Sequence, residues 1–359
     1  MHIPLPSRSA VMIGAGGFTL AGAAVGVGAA LIAREAWNSF RLADIRDHVV
    51  LITGSSRGLG LAMAREFAAV GCRIVICARD ADELRAAEAD LRQRGADVLA
   101  ITCNVSNDDE VHRMVEQATQ HFGRIDILVN NAGIIQVGPI ESQTIEDFRN
   151  AMDVMFWGVV YPTLAVLPQM KARGYGCIAN ITSIGGKISV PHLVPYGAAK
   201  FAAVGFSEGI HAELKKDGIN VTTVVPGLMR TGSHLNAHFK GEHEKEYSWF
   251  ALAATNPLSA IGARRAARSV VNAVRRGRAE VVLGLPAKLA VLAHGIAPGI
   301  TSDVLGLSNR VMPGTGASQK ELFTGRESET AVTRSPLTAL GRRAAREYNQ
   351  LPEVRHTSS

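Results

Sequence analysis

Three residues of this chain have the types and spacing for proton transfer. Tyr196 and Lys200 stand four apart in "YGAAK", at the start of a segment read as a helix, so both side chains fall on one face. A phenol with an ordinary pKa of about 10 is a poor acid or base near neutrality, and a neighbouring ammonium stabilises the phenolate and lowers that value. Ser183, at the end of the preceding apolar run "GCIANITS", can hydrogen-bond a substrate oxygen. A Tyr-x-x-x-Lys spacing alone is common. Its place after a strand ending in Ser, downstream of a glycine loop, is what gives it meaning.

That loop is "TGSSRGLG", Thr53 to Gly60, fed by the apolar run "HVVLITG" and followed at once by a helical pattern. Gly54 permits the tight turn, Gly58 lets the backbone approach a phosphate, and Gly60 allows helix to pack on strand. Two arginines bear on the cofactor. Where the second strand ends, NAD would want a carboxylate for its ribose hydroxyls, but the sequence reads "CARD" with Arg79 at or next to that position. Arg57 in the loop adds a second cation, and the two together suit the 2′-phosphate of NADP. Asp80, the next residue, keeps NAD as the alternative.

These residues need a scaffold that brings strand ends together. Runs rich in Val and Ile at 48–54, 73–78, 97–105, 125–130, 176–183, 220–227 and 279–284 alternate with helical patterns at 59–71, 81–93, 108–122, about 144–171, about 195–216 and 257–276. That alternation predicts an α/β fold, a doubly wound parallel sheet of about seven strands of the Rossmann type. The domain spans 45–284, after an N-terminal segment at 1–40 and before a C-terminal extension at 285–359. In the extension, "LPAKLAVLAHGIAPGI" reads as a surface-docked or membrane-facing hairpin or as core packing, and the polar chain from about Gly314 as mobile with one short helix near 338–347.

Across 45–284 the chain resembles the short-chain dehydrogenase/reductase family in its single-domain form. "TGSSRGLG", "NNAG" (130–133), Ser183, "YGAAK" and "PGLMRT" (226–231) occur in family order. The resemblance implies that Asn104 and Val105 flank the adenine and that Asn130 steadies the sheet. It implies that Ser56, Leu59, Asn131, Ala132 and Gly133 border the cofactor, and that Pro226, Gly227 and Thr231 contact its nicotinamide end. Asn104 stands where the family usually has Asp. A second departure is Met155, in "DVMFWG", where the family commonly has an Asn that holds a water linked to the active-site Lys; a thioether cannot replace an amide's donors and acceptor.

The implied activity is interconversion of a secondary alcohol with a ketone, or of an aldehyde, with NADP(H). Tyr196 is the expected acid/base, Ser183 polarises the carbonyl, and Lys200 tunes Tyr196 and binds the ribose. The loop 228–256 is the expected substrate loop, with Phe239, Trp249 and Phe250 facing an apolar small-molecule substrate or packing as a lid on the protein itself. A binding protein that has lost most catalytic power, sensing NADP(H) at a membrane, is the alternative.

Composition bounds the rest. The net charge is +6 with 19% charged residues, and nothing resembles a nucleic-acid module. The arginine clusters at 264–268, 275–278 and 342–346 read as solvated helix faces, with anionic lipid headgroups the alternative. The four cysteines, Cys72, Cys77, Cys103 and Cys177, lie in strands or at their edges with no metal-ligand spacing and read as reduced core residues. Residues 10–33 carry no charge and are mostly Gly and Ala, long enough to cross a bilayer, which takes about 20 residues. "IGAGGFTLAG" within it lacks the strand and helix of a nucleotide loop, so the run reads as a single membrane anchor, with Gly22 and Gly26 spaced for helix approach and the formation of a homo-oligomer an open possibility. A cleaved signal peptide is the rival reading. Arg34, Arg41 and Arg46 after the run, against Arg8 before it, place the catalytic domain in the cytoplasm.

Overall fold

The computed structural model describes residues 42–317 and 320–351; the expected anchor at 10–33 lies outside them. From Asp44 on, the described residues form one unit. Seven strands, β1 (Val49–Thr53), β2 (Arg73–Ala78), β3 (Val98–Thr102), β4 (Ile127–Asn130), β5 (Gly176–Ile181), β6 (Ile219–Pro226) and β7 (Glu280–Leu283), pair in parallel in the order β3-β2-β1-β4-β5-β6-β7. The order reverses between β1 and β4, so the connections leave a crevice at the carboxyl ends of those two strands.

Alternation along the strands feeds two cores. Val50 and Ile52 of β1 join the core under α1 (Gly58–Ala69), α2 (Ala81–Gln93) and α7 (Ala263–Arg275). Val49 and Leu51 join the core under α3 (Asp108–Phe122), α4 (Ile145–Arg173) and α5 (Val194–Leu214). Helix α4 is long and apolar enough to cross a membrane, yet half of its most apolar window is buried in the protein, as expected of a core helix. It contains a π turn over Asp153–Trp157, which bears Met155. The cysteines are all buried and unbridged.

Three sequence expectations need correction. The helix read from 257 starts at Ala263, because Ile261–Gly262 pair in parallel with Met229–Arg230 instead. The expected substrate loop contains a full helix, α6 (His243–Thr255). The segment read as mobile packs back onto the domain: Phe323–Thr324 pair with His238–Phe239, and α10 (Ala339–Glu347) buries Ala344 and Ala345. Polarity misled here, since α10 needs only a narrow stripe of alanines to dock.

The apolar stretch after β7 forms two helices, α8 (Leu285–Ile296) and α9 (Pro298–Asn309). The core-packing alternative for it is not realised. Ala287 alone is buried, against Gly227, while Leu285, Leu289, Leu292 and Ile296 of α8 and Ile300, Val304 and Leu307 of α9 are exposed.

A buried clasp fixes α6 to the segment before Tyr196. Glu246 accepts from Trp249 Nε1 at 2.7 Å and bonds His192 Nδ1 at 2.5 Å, with both Glu246 and His192 buried. His192 holds a left-handed φ of 64° there, and its carbonyl accepts from Gly138 N. Glu246→Ala, which strands both partners, is expected to lower unfolding free energy in urea by about 1–3 kcal/mol, the usual cost of leaving a buried polar group without its hydrogen bond.

Candidate active site

The sequence-derived residues converge on the carboxyl edge of the sheet. The β1–α1 turn holds Gly54 to Gly60; Arg79 follows β2; Asn104 and Val105 follow β3; Asn131, Ala132 and Gly133 follow β4; Ser183 follows β5; Pro226 and Gly227 follow or end β6.

The glycine loop is built by close approach. A Cβ on Gly54 would sit 2.7 Å from Ala132 Cα, and one on Gly60 would collide with the carbonyl oxygen of Gly54. Asn131 stitches the two strand ends, donating its side-chain amide to the carbonyls of Thr53 (3.0 Å) and Gly54 (2.9 Å), while Thr53 Oγ1 accepts from the backbone of Asn131 and Ala132. Helix α1 has no side-chain cap; the Gly58 N–H is taken by the Tyr348 carbonyl at 2.8 Å, and the N–H groups of Leu59 and Gly60 are left without intrahelical acceptors. The Leu59 side chain itself lies in the core. An uncapped helix start and a turn without Cβ atoms fit the pyrophosphate of a dinucleotide.

Around the other end, Asp80 is committed. Its carboxylate caps α2, accepting from Asp82 N and Glu83 N at 2.9 Å each. The neighbouring Arg79 is exposed and makes no hydrogen bond or ion pair among the described residues. Arg57 is not free in the same way: its Nη1 pairs with Glu83 at 2.8 Å, and the same carboxylate accepts from Ser56 Oγ at 3.0 Å. Asn104 uses its side-chain oxygen on Ser106 N, and Val105 is buried against Gly158. Thr231 is buried and donates to Ser233 Oγ at 3.0 Å.

The proton-transfer residues meet as their spacing implied. Tyr196 and Ser183 stand side by side, with Tyr196 Cε1 3.0 Å and Ser183 Oγ 3.5 Å from where a Gly185 Cβ would be, and Lys200 Nζ lies 6.0 Å from the Tyr196 ring centroid. Lys200 is buried and donates to the Ile181 carbonyl at 2.9 Å; burial pushes its pKa down to about 8. Burial pushes the Tyr196 phenol up, opposed by the Ser183 hydrogen bond. The lowering of Tyr196 expected from Lys200 is thus not what the structure gives, since desolvation of the phenolate outweighs an ammonium that is turned to a carbonyl.

Several contributors escaped the sequence reading. Gly185 and Gly186, just after Ser183, have no room for a Cβ: the first would touch Tyr196 Cε1 at 3.0 Å, the second Lys200 O at 2.6 Å. The doubled glycine was the available signal. A buried ladder runs from Asn130 to Asn180 (2.8 Å), Ser207 (3.0 Å) and Thr223 (2.7 Å), tying β4, β5, α5 and β6 together behind the site. Phe239 and Phe250 pack inside the lid with Tyr247, so the lid-on-protein reading holds for them, and Trp249 sits half-buried at its margin.

Met155 is buried among Ala151, Val154, Ala199 and Tyr196, and its Cγ lies 3.7 Å from where a Gly133 Cβ would be. It therefore packs against the Tyr196 helix and not against Phe156 or Trp157. Met155→Asn is expected to lower the thermal midpoint, by the equivalent of about 1–3 kcal/mol for an amide without partners, and to leave kcat no faster. A rise in kcat at unchanged midpoint would mean that a proton relay at this position limits turnover.

Comparison with known proteins agrees with this geometry. Residues 48–239 match the family model described as short chain dehydrogenase. An uncharacterized oxidoreductase, YxnA of Bacillus subtilis, is 30% identical over 269 residues, covering 74% of this chain and 73% of the relative. Dehydrogenase/reductase SDR family member 7B of Mus musculus is 30% identical over 263 residues, covering 72% and 80%. Among solved structures, an actinorhodin polyketide ketoreductase variant with NADPH superposes with a TM-score of 0.60 at 29% identity, covering 66% of this chain and 96% of that one.

Proposed function

The chain belongs to the short-chain dehydrogenase family and is an oxidoreductase of that family, and we propose that it interconverts a secondary alcohol and a ketone with NADP(H), on a lipophilic small molecule. The observation that carries this reading is the proximity of Ser183 and Tyr196 with Lys200 a turn beyond, set beside a glycine loop at the sheet's switch point. When bound, the nicotinamide supplies or accepts hydride. The chain's own groups do the rest. Ser183 orients the substrate oxygen, and Tyr196 holds the proton that this oxygen gains on reduction. Lys200 keeps a positive charge near the phenol and the ribose, and Gly133 with the Pro226–Gly227 turn leaves space for the nicotinamide end.

The preference for NADP is supported by Asp80 being spent on the α2 cap, by Arg79 standing exposed without a partner, and by a similar ketoreductase having been solved with NADPH. The lipophilic substrate is supported by the apolar lid and by α8, which begins beside Gly227 with its leucines in solvent. We further infer that the chain sits at a membrane through residues 10–33, with the catalytic domain cytoplasmic. Fractionation of the full chain tests this: recovery in the soluble fraction with an intact N-terminus overturns it.

Tyr196→Phe is expected to cut kcat by about 10²–10⁴-fold in NADPH-dependent ketone reduction, the usual share of a positioned acid. Single-turnover reduction by the unmutated chain separates an enzyme from a sensor. Lys200 gives a pH signature: it is charged below about pH 8 and neutral above, while Tyr196, shifted upward, stays protonated. Reduction is therefore expected to decline as pH rises through about 8, and Lys200→Met to abolish that inflection along with most activity. Arg79→Ala is expected to weaken NADPH binding by about 1.5–3 kcal/mol and to leave NADH binding little changed. Equal affinity for NADPH and NADH in the unmutated chain would refute the cofactor preference.

A further inference from the structure

Glu83 sets a carboxylate against the cation of the glycine loop. It pairs with Arg57 and accepts from Ser56, the two loop side chains that point toward the second strand's end. Two further basic groups come near. Arg326 sits close enough to Arg57 and Glu83 for both to act on its charge, and burial with Arg57 holds its pKa below the ordinary value. His238 is held below its ordinary pKa first by burial, then by Arg79 and Arg57. Glu327, the acid acting on His238, is engaged by the backbone N–H and hydroxyl of Thr324. Ser56 and Arg57 thus form an anion site that already holds its anion, the Glu83 carboxylate.

The C-terminal segment locks this arrangement. Asn349 Nδ2 donates to the carbonyls of Ser56 (3.0 Å) and Glu83 (3.1 Å), joining the loop to the first turn of α2. The Gly58 N–H is taken by the Tyr348 carbonyl at 2.8 Å, and Gln350 Nε2 lies 2.6 Å from where a Gly58 Cβ would stand. Gln350 is buried and has no acceptor for that amide nitrogen among the described residues. Arg65 stacks over Tyr348 at 5.3 Å and bonds Glu347 O, while Asn236 and Arg326 hold Gln350 from the other side. Asn349 adopts φ 52°, a left-handed conformation that Asn tolerates better than most residues.

We propose that Glu83 is a cofactor-specificity residue, whose carboxylate holds Ser56 and Arg57 in the place of a 2′-phosphate, while Asn349 pins the backbone of the loop to that of Glu83. This deepens the NADP(H) reading and rests on it. A dianionic phosphate and a carboxylate cannot share these donors, because like charges at hydrogen-bond distance repel. NADPH therefore binds by exchange: Arg57 and Ser56 pass from Glu83 to the phosphate, and the Glu83 side chain, 28% exposed, swings to solvent. NADH has no group to drive the exchange and leaves the Glu83 contacts in place. The free energy of breaking the Glu83 carboxylate contacts is subtracted from NADPH affinity alone, whereas displacing Tyr348 from the Gly58 N–H is a cost that both cofactors share.

The test is fluorescence titration and stopped-flow binding of NADPH and NADH to the full chain, with Glu83→Gln and Asn349→Ala beside the unmutated protein. Gln keeps the size of Glu83 and its hydrogen bond to Ser56, and the thermal midpoint of each variant reports its folding. Glu83→Gln is expected to tighten NADPH binding on the order of tenfold, the scale of one like-charge contact near a protein surface, and to change NADH binding less than twofold. Asn349→Ala is expected to speed NADPH association with a smaller gain in affinity. Unchanged or weakened NADPH binding in a folded Glu83→Gln chain overturns the role of Glu83, and an unchanged association rate in Asn349→Ala overturns the pinning by Asn349. If the unmutated chain prefers NADPH but neither variant alters binding, this proposal fails and the cofactor reading stands; if it binds NADH as tightly as NADPH, the cofactor reading itself has failed.

Discussion

The structure depends on one close approach, that of the β1–α1 turn to the end of β4. Gly60 lies against the Gly54 carbonyl, Gly54 against the Ala132 backbone, and the Asn131 amide bonds both strand ends. Only residues without a Cβ fit at the two glycines, so the turn cannot relax outward. The consequence reaches well beyond the loop. The start of α1 is held over the crevice where the strand order reverses, and its unpaired N–H groups make that crevice attractive to an anion.

A second rigid body supports the proton-transfer residues. The Asn130–Asn180–Ser207–Thr223 ladder crosses the sheet at the level where β4 and β5 end, so helix α5 is tied to the strands by polar bonds as well as by apolar packing. Gly185 and Gly186 then let the 183–186 turn lie flat on α5. Buried polar groups that are paired in this way specify a register. Here the register sets Ser183 on Tyr196 and Lys200 on Ile181 O. The site is dry enough to depress Lys200 and raise Tyr196 together, which leaves one group charged and the other protonated near neutrality.

The C-terminal extension joins parts of the domain that are far apart in sequence. Gly232, after the β6 turn, receives Ala345 of α10, while Gly58 and Ser56 receive Tyr348 and Asn349. The same segment thus touches both walls of the crevice. The lid gains its own support from the His192–Glu246 clasp and from the Phe323–Thr324 strand. Only the α8–α9 pair remains outside this consolidation, with its leucines and isoleucines in solvent.

The sequence by itself determined the sheet, its strand limits to within a few residues, and the meeting of Ser183, Tyr196 and Lys200, because each rests on local periodicity or on a four-residue helical spacing. It also marked the strand–turn–helix at Thr53–Gly60, where the structure places a tight glycine turn. What it could not determine were partners separated by long stretches of chain. That Asp80 caps a helix, that Glu83 occupies Arg57, that Met155 faces Tyr196 and not its own neighbours, and that Asn349 reaches Ser56 are outcomes of packing. The extension was misread for the same reason: its polarity is local, whereas the alanine stripe that docks α10 has meaning only against the surface that tertiary structure builds for it.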